Sequence, residues 1–129
     1  MTVHKNVGST IDFYNVQFYN QGDTMYNTYD RLFVSSGSVF SGTAVNEIIK
    51  RGIPSKKIVI GKPVTAADAA NTGWVNHDDL GKWVAQAYQQ NKWFAGIMYW
   101  QYVSDVGGNA IKSSAGFLKE QCAINKDCK

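Results

Sequence analysis

Three short apolar runs, each separated from the next by a stretch of helical periodicity, constrain this 129-residue chain more than any other feature. The runs are "FYNVQFY" (13–19), "KIVIGKP" (57–63) and "AGIMYWQ" (95–101). The second and third are short, apolar and flanked by Gly, Lys or Pro, which suits strands covered on both faces. The first alternates, Val16 and Phe18 against Gln17 and Tyr19, and so predicts a strand with two unlike faces. Between and after them lie "TAVNEIIKRG" (43–52), "HDDLGKWVAQAYQQN" (77–91) and "NAIKSSAGFLKEQC" (109–122). In the first of these, Val45, Ile48 and Ile49 form a stripe, with Thr43 as expected N-cap and Gly52 then Pro54 as stop. In the second, Leu80, Trp83, Val84, Ala87 and Tyr88 recur at helical spacing, and Asp78 and Asp79 favour the first turn. Trp83 and Tyr88 are expected in the core. The third repeats the pattern with Ile111, Ala115, Leu118 and Cys122, weakened by Gly116.

The order β-α-β-α-β-α asks for parallel strands joined by right-handed crossovers, so the fold class is α/β. Its functional side should be the carboxyl ends of the strands, where two loops are long: 20–42 after the first strand and 64–76 after the second. Three parallel strands neither close a barrel nor protect every sheet edge. A lone copy is expected to expose a sizeable apolar patch. A missing upstream half or self-association through the open edges would cover it.

The chain reads as a single domain over 1–129, with 119–129 as a tail. A net charge of +3 is modest. The adjacent basic pairs, Lys50 with Arg51 and Lys56 with Lys57, flank element ends, as a solvated surface would have them, so no nucleic-acid partner is expected. No run approaches the ~20 apolar residues of a membrane span, so no membrane partner is expected. The opening "MTVHKNVGST" carries no apolar signal-peptide segment. Cys122 and Cys128 fit either a local disulfide or two free thiols. His4 and His77 are far apart and no Cys-x-x-Cys occurs, so no metal and no other cofactor is expected.

Taken together, "VQFYN" (16–20), "KIVIGKPVTAADAANTGWV" (57–75) and "GIMYWQYVSD" (96–105) resemble the last three strands of class III, hevamine-like chitinases of glycoside hydrolase family 18. The resemblance runs from about Ile11 to Leu118. It implies three βα units equivalent to the end of a TIM (β/α)8 barrel, incomplete in this chain. The family cleaves β-1,4-linked N-acetylglucosamine by substrate assistance: the sugar's acetamide oxygen attacks the anomeric carbon while one protein acid protonates the leaving oxygen. The site must then hold the acetamide and stabilise its developing charge. By resemblance, Tyr19 bonds the acetamide and stabilises the transition state, Gln17 orients it, and Trp100 forms the floor of the subsite. Met98 shares a strand face with Trp100. Asn20 matches the motif but points to the other face by period-2 geometry.

The family's acid ends an "Asp-x-x-Asp-x-Asp-x-Glu" run that is absent here. Asp23, Asp68 and Asp105 stand near strand ends without forming it, so the chain alone is expected to be inactive. The partners implied are chitin or N-acetylglucosamine oligomers, and the implied setting is extracellular. Two other readings stay open: a non-catalytic chitinase-like lectin or inhibitor, and a self-associating α/β interaction domain in which the sugar is irrelevant. Without the resemblance, Gln17, Tyr19 and Trp100 would read as locally satisfied core residues. Trp74 is open between a stacking platform and a cover. Tyr26, Tyr29, Tyr99 and Tyr102 are candidates for widening an aromatic cleft.

Overall fold

A computed structural model describes residues 2–22, 26–90, 93 and 95–124, with the backbone alone for 121–124. Asp23, Cys128 and the Cys122 side chain therefore lie outside the described residues, and so do the sequence expectations placed on them.

The three predicted strands form, each trimmed at its ends: β1 Tyr14–Gln17, β2 Ile58–Pro63 and β3 Gly96–Trp100. They pair in parallel in the order β1-β2-β3. The register aligns Asn15 with Val59 and Gly96, and Gln17 with Gly61 and Met98. Among the described residues four α-helices accompany them: α1 Thr2–Val7, α2 Val45–Lys50, α3 His77–Gln89 and α4 Asn109–Ile124. Because each crossover joins sequential neighbours, right-handedness puts the connections on one side of the sheet.

Burial agrees with connections on one side of the sheet. Tyr14, Val16, Ile58, Ile60, Ile97 and Tyr99 alternate onto one face, where they pack with Val45, Ile48 and Ile49 of α2, Leu80, Val84 and Ala87 of α3, and Leu118 of α4. The other face carries Asn15, Gln17, Val59, Gly61, Pro63, Gly96, Met98 and Trp100. Asn15, Gln17 and Trp100 on it are exposed, and Val59 and Met98 only half-buried. The expectation of cover on both faces is thus corrected for β3, whose residues are half-buried or exposed, while in β2 every residue but the half-buried Val59 is buried. One face is packed by helices, while the other is buried at Gly61 and Pro63 and open at Asn15, Gln17 and Trp100. The open face is also less apolar than expected, since two of its positions are glycine and two are amides.

The helix signals act largely as read. Asn76 caps α3, its side chain accepting from the Asp78 amide at 2.9 Å. For α2 the expected cap at Thr43 is replaced by a different device. Thr43 donates to the Phe40 carbonyl at 2.6 Å, outside the helix. The helix start is held instead by Glu47, whose Oε2 accepts from the Ala44 amide (3.0 Å), the Ser36 amide (3.1 Å) and the Ser36 hydroxyl (2.8 Å). Burial opposes the charge on Glu47, but these bonds outweigh it and hold the carboxyl below its usual pKa. Glu47→Ala is expected to cost about 1–2 kcal/mol by chemical denaturation. The folded pKa is depressed, so this contribution is present above the unfolded pKa and is lost as pH falls through the folded one.

The long 20–42 loop is partly core. A π-helical turn at Asp30–Val34 buries Leu32 and Phe33. Phe33 stacks on Tyr29 and meets Trp93 edge-on, and the Trp93 indole donates to the Ile58 carbonyl at 2.6 Å. Lys57 anchors the amino-terminal segment by donating to the carbonyls of Gly8 (2.7 Å) and Ile11. No helix among the described residues is long and apolar enough to cross a membrane.

Candidate functional site

Parallel pairing brings the carboxyl ends of all three strands to one end of the sheet, and with them the five sequence-predicted site residues. Gln17 and Met98 flank Gly61 in one row of the open face, and Pro63 and Trp100 form the next. Gly61 is needed there: a Cβ would come within 2.7 Å of the Val16 carbonyl oxygen and 2.9 Å of the Met98 methyl. The small residue leaves Gln17 and Met98 on either side of a shallow floor. Trp100 projects past it, 51% exposed, and none of its ring contacts is with an aromatic neighbour among the described residues.

Tyr19 lies beyond the strand and is 5% exposed. Its backbone carbonyl receives the side-chain amides of Gln17 (3.3 Å) and Gln21 (3.4 Å). Its hydroxyl has no hydrogen-bond partner among the described residues, and burial raises its pKa. A protonated, unpartnered phenol can donate to a neutral carbonyl oxygen.

Asn20 plays a different part. Its backbone is left-handed, with φ 60°, a conformation that asparagine tolerates better than most residues. Its Oδ1 accepts from the amides of Ala70 (2.7 Å) and Asn71 (3.2 Å), and its own amide donates to the Thr72 carbonyl at 2.9 Å. The side-chain oxygen therefore grips the loop after β2. That loop closes on Tyr19 through Gly73, at φ +100°, where a Cβ would sit 2.5 Å from the Tyr19 Cα.

Lys62 is the functional-end residue that the sequence reading missed. It is fully buried, and its Nζ donates to the carbonyls of Phe18 (2.9 Å), Tyr26 (2.6 Å) and Gly73 (3.0 Å). Burial pushes its pKa down from 10.5 to about 7. Three acceptors match the three N–H donors of an ammonium group and return part of the lost hydration. A signal existed: Ile58, Ile60 and Lys62 share one strand face, so a charge stood on a stripe that had to be core.

The acids at this end are engaged as acceptors. Asp68 receives the hydroxyls of Ser104 (2.6 Å) and Thr65 (2.7 Å), the Thr65 amide (2.8 Å) and Gln101 Nε2 (3.4 Å). These bonds, that from Ser104 foremost, lower its pKa to about 2. Asp105 caps α4, accepting from the amides of Ala110 (2.8 Å) and Ile111 (3.3 Å). An Asp68 carboxylate ionised at neutral pH is not a proton donor.

Trp74, 41% exposed, donates its indole N–H to the Val64 carbonyl (3.1 Å), which also accepts from His77 Nε2 (2.7 Å). Of the tyrosine candidates, Tyr26 bonds Thr43, Tyr29 bonds Gln90 and Tyr99 bonds Ser114. Tyr102 is 87% exposed. Among the described residues no group of three or more His, Cys, Asp or Glu could hold a metal ion.

No protein-family model matches the chain. It is 30% identical over 104 residues to acidic endochitinase SE2 of Beta vulgaris, a match covering 80% of this chain and 32% of that one. Its structure resembles a GH18 chitinase from Pseudoalteromonas aurantia with a TM-score of 0.69 and 30% identity, over 89% of this chain and 38% of the other. A fungal endo-beta-N-acetylglucosaminidase of glycosyl hydrolase family 18 shares the fold at a TM-score of 0.59 and 20% identity, over 98% of this chain and 38% of that one. The chain thus spans about a third of the length of the relatives it matches.

Proposed function

We propose that this chain, whose sequence and fold match part of a family 18 chitinase, is the sugar-holding carboxyl-terminal part of such a barrel. The observation that carries the reading is the grouping of Gln17, Met98 and Trp100 on one sheet face, with Tyr19, whose hydroxyl has no partner among the described residues, two positions beyond Gln17. Helices on one face only and sequential strand order suit three units of a (β/α)8 barrel, whose interior the open face would line. Relatives two to three times as long leave room for the other strands. The free edges of β1 and β3 are where those strands, or a second copy of the chain, would pair. On this reading 1–129 is one partial-barrel unit in which 119–129 is peripheral.

In that setting the Trp100 face carries the apolar side of an N-acetylglucosamine ring. Tyr19 donates to the acetamide oxygen. Developing charge on the oxazolinium ring is spread where a preoriented hydroxyl dipole and the Gln17 amide meet it. Asn20 acts through the loop it grips, by keeping Tyr19 in place, and not by touching sugar. Substrates are chitin oligomers, and the extracellular setting follows from the family.

The engagement of Asp68 and Asp105 as acceptors favours binding without hydrolysis by this chain alone. That also suits the second reading, a chitinase-like lectin or inhibitor. Calorimetric titration with chitotetraose, with solution mass measured alongside, tests both. Saturable binding that is lost in Tyr19→Phe and Trp100→Ala, without hydrolysis, is the expected result. Binding that survives both changes overturns the site. A folded oligomer with no sugar affinity favours the self-association reading.

A further inference from the structure

The turn after β2 is built as a clamp on the segment that carries Trp100. Trp100 and Pro63 are register partners, and the Val64 amide donates to the Trp100 carbonyl at 2.6 Å. Beyond that bond the far end of the 101–108 segment is tied to α4, where Asp105 accepts from Ala110 and Ile111 and Lys112 Nζ donates to the Gly107 carbonyl (2.7 Å). Tyr102, Val103 and Val106 are exposed, and Gly107 and Gly108 both have positive φ. The near end, 101–104, is tied to the turn after β2 by the carboxylate of Asp68. One oxygen takes the Ser104 hydroxyl (2.6 Å) and Gln101 Nε2 (3.4 Å), and the other takes the amide (2.8 Å) and hydroxyl (2.7 Å) of Thr65. The Ser104 amide closes back on the Gln101 carbonyl at 3.0 Å. A half-exposed indole with no aromatic neighbour takes its direction from its backbone, so whatever holds 101–104 aims the ring.

We propose that Asp68 is the positioning residue for Trp100, orienting the indole as a sugar platform by tying Gln101 and Ser104 to the Thr65 turn. This rests on the carbohydrate reading above. It gives a role to an acid that resembles a catalytic candidate only by its place at a strand end. Four donors converge on one carboxylate, and charge-assisted bonds are about twice as strong as neutral ones. Asparagine at this position retains one acceptor oxygen and turns its amide donors on either Thr65 or Ser104, so one half of the clamp opens. The residue is on the surface, and the change leaves the core alone.

The test is fluorine NMR of the chain labelled with 5-fluorotryptophan, with the Trp100 resonance assigned by Trp100→Phe. In Asp68→Asn the Trp100 resonance is expected to shift and broaden while those of Trp83 and Trp93 stay in place. Thr65→Val, which trims the turn but leaves both ties to 101–104, is expected to leave Trp100 where it was. Chitotetraose affinity should fall about tenfold in Asp68→Asn, a smaller loss than in Trp100→Ala, which removes the platform itself. An unmoved Trp100 resonance accompanied by a lower melting temperature overturns the proposal and leaves Asp68 a turn stabiliser. If Trp100→Ala alone leaves sugar binding unchanged, the carbohydrate reading fails, and the resonance still decides what Asp68 does.

Discussion

Lys62→Met is expected to destabilise the chain by roughly 2–5 kcal/mol at neutral pH, the largest loss from any single polar side chain here. Methionine matches the length of lysine but donates nothing, so the carbonyls of Phe18, Tyr26 and Gly73 are stranded in a site without exposure. Each buried carbonyl without a partner costs about 1–3 kcal/mol, and relief from desolvating the ammonium offsets part of the sum. The same residue sets a pH dependence with a definite sign. Its folded pKa is about 7 against 10.5 in the unfolded chain. Between those values the unfolded state holds the proton that the native state has released, so stability rises with pH across that window. Urea midpoints at pH 7 and 9.5 should increase for the wild type and stay level for Lys62→Met. A wild-type midpoint that falls over this range would contradict the burial of the amine.

Gly73→Ala is expected to cost about 3–5 kcal/mol and to remove sugar affinity in whatever fraction still folds. Two effects add. At φ +100° an alanine is outside even the left-handed region it can enter at a cost of about 1–2 kcal/mol. Its methyl would also meet the Tyr19 Cα at 2.5 Å, the Tyr19 Cβ at 2.6 Å and the Phe18 carbonyl oxygen at 2.9 Å. Backbone lies in that direction, so no side chain can swing away to relieve it. Tyr19 must move, and its hydroxyl with it. Thermal unfolding combined with chitotetraose titration separates the two losses. Near-wild-type stability with intact binding would show that the Gly73–Tyr19 contact positions nothing.

These two residues mark the limit of what the chain's pattern discloses. Gln17, Met98 and Trp100 could be placed on common faces by counting residues, because strand alternation is a local property. Asn20 could be placed off that face by the same count, but its grip on Ala70 and Asn71 could not, since fifty residues separate the partners. Thr43 looked like a helix cap because it precedes an apolar stripe. Ser36 and Glu47 took that work by meeting across the loop, a pairing with no short-range signature. Leu32 and Phe33, in a segment read as loop, turned out to be core because a brief π-helical turn has no period to detect.

The sequence by itself determined three strands, three of the four helices, their parallel order, and the absence of the family's acidic run. Periods of two and 3.6 are written residue by residue, and a missing motif is missing at any level. Only the tertiary structure decided that the helices cover one face of the sheet, that Lys62 ties the end of β1 to the two loops after β1 and β2, and that Asp68 and Asp105 are bound as acceptors. Each of those depends on which distant backbone groups arrive within about 3 Å of a side chain. Chain order does not specify that distance until right-handed crossovers and core packing have set it.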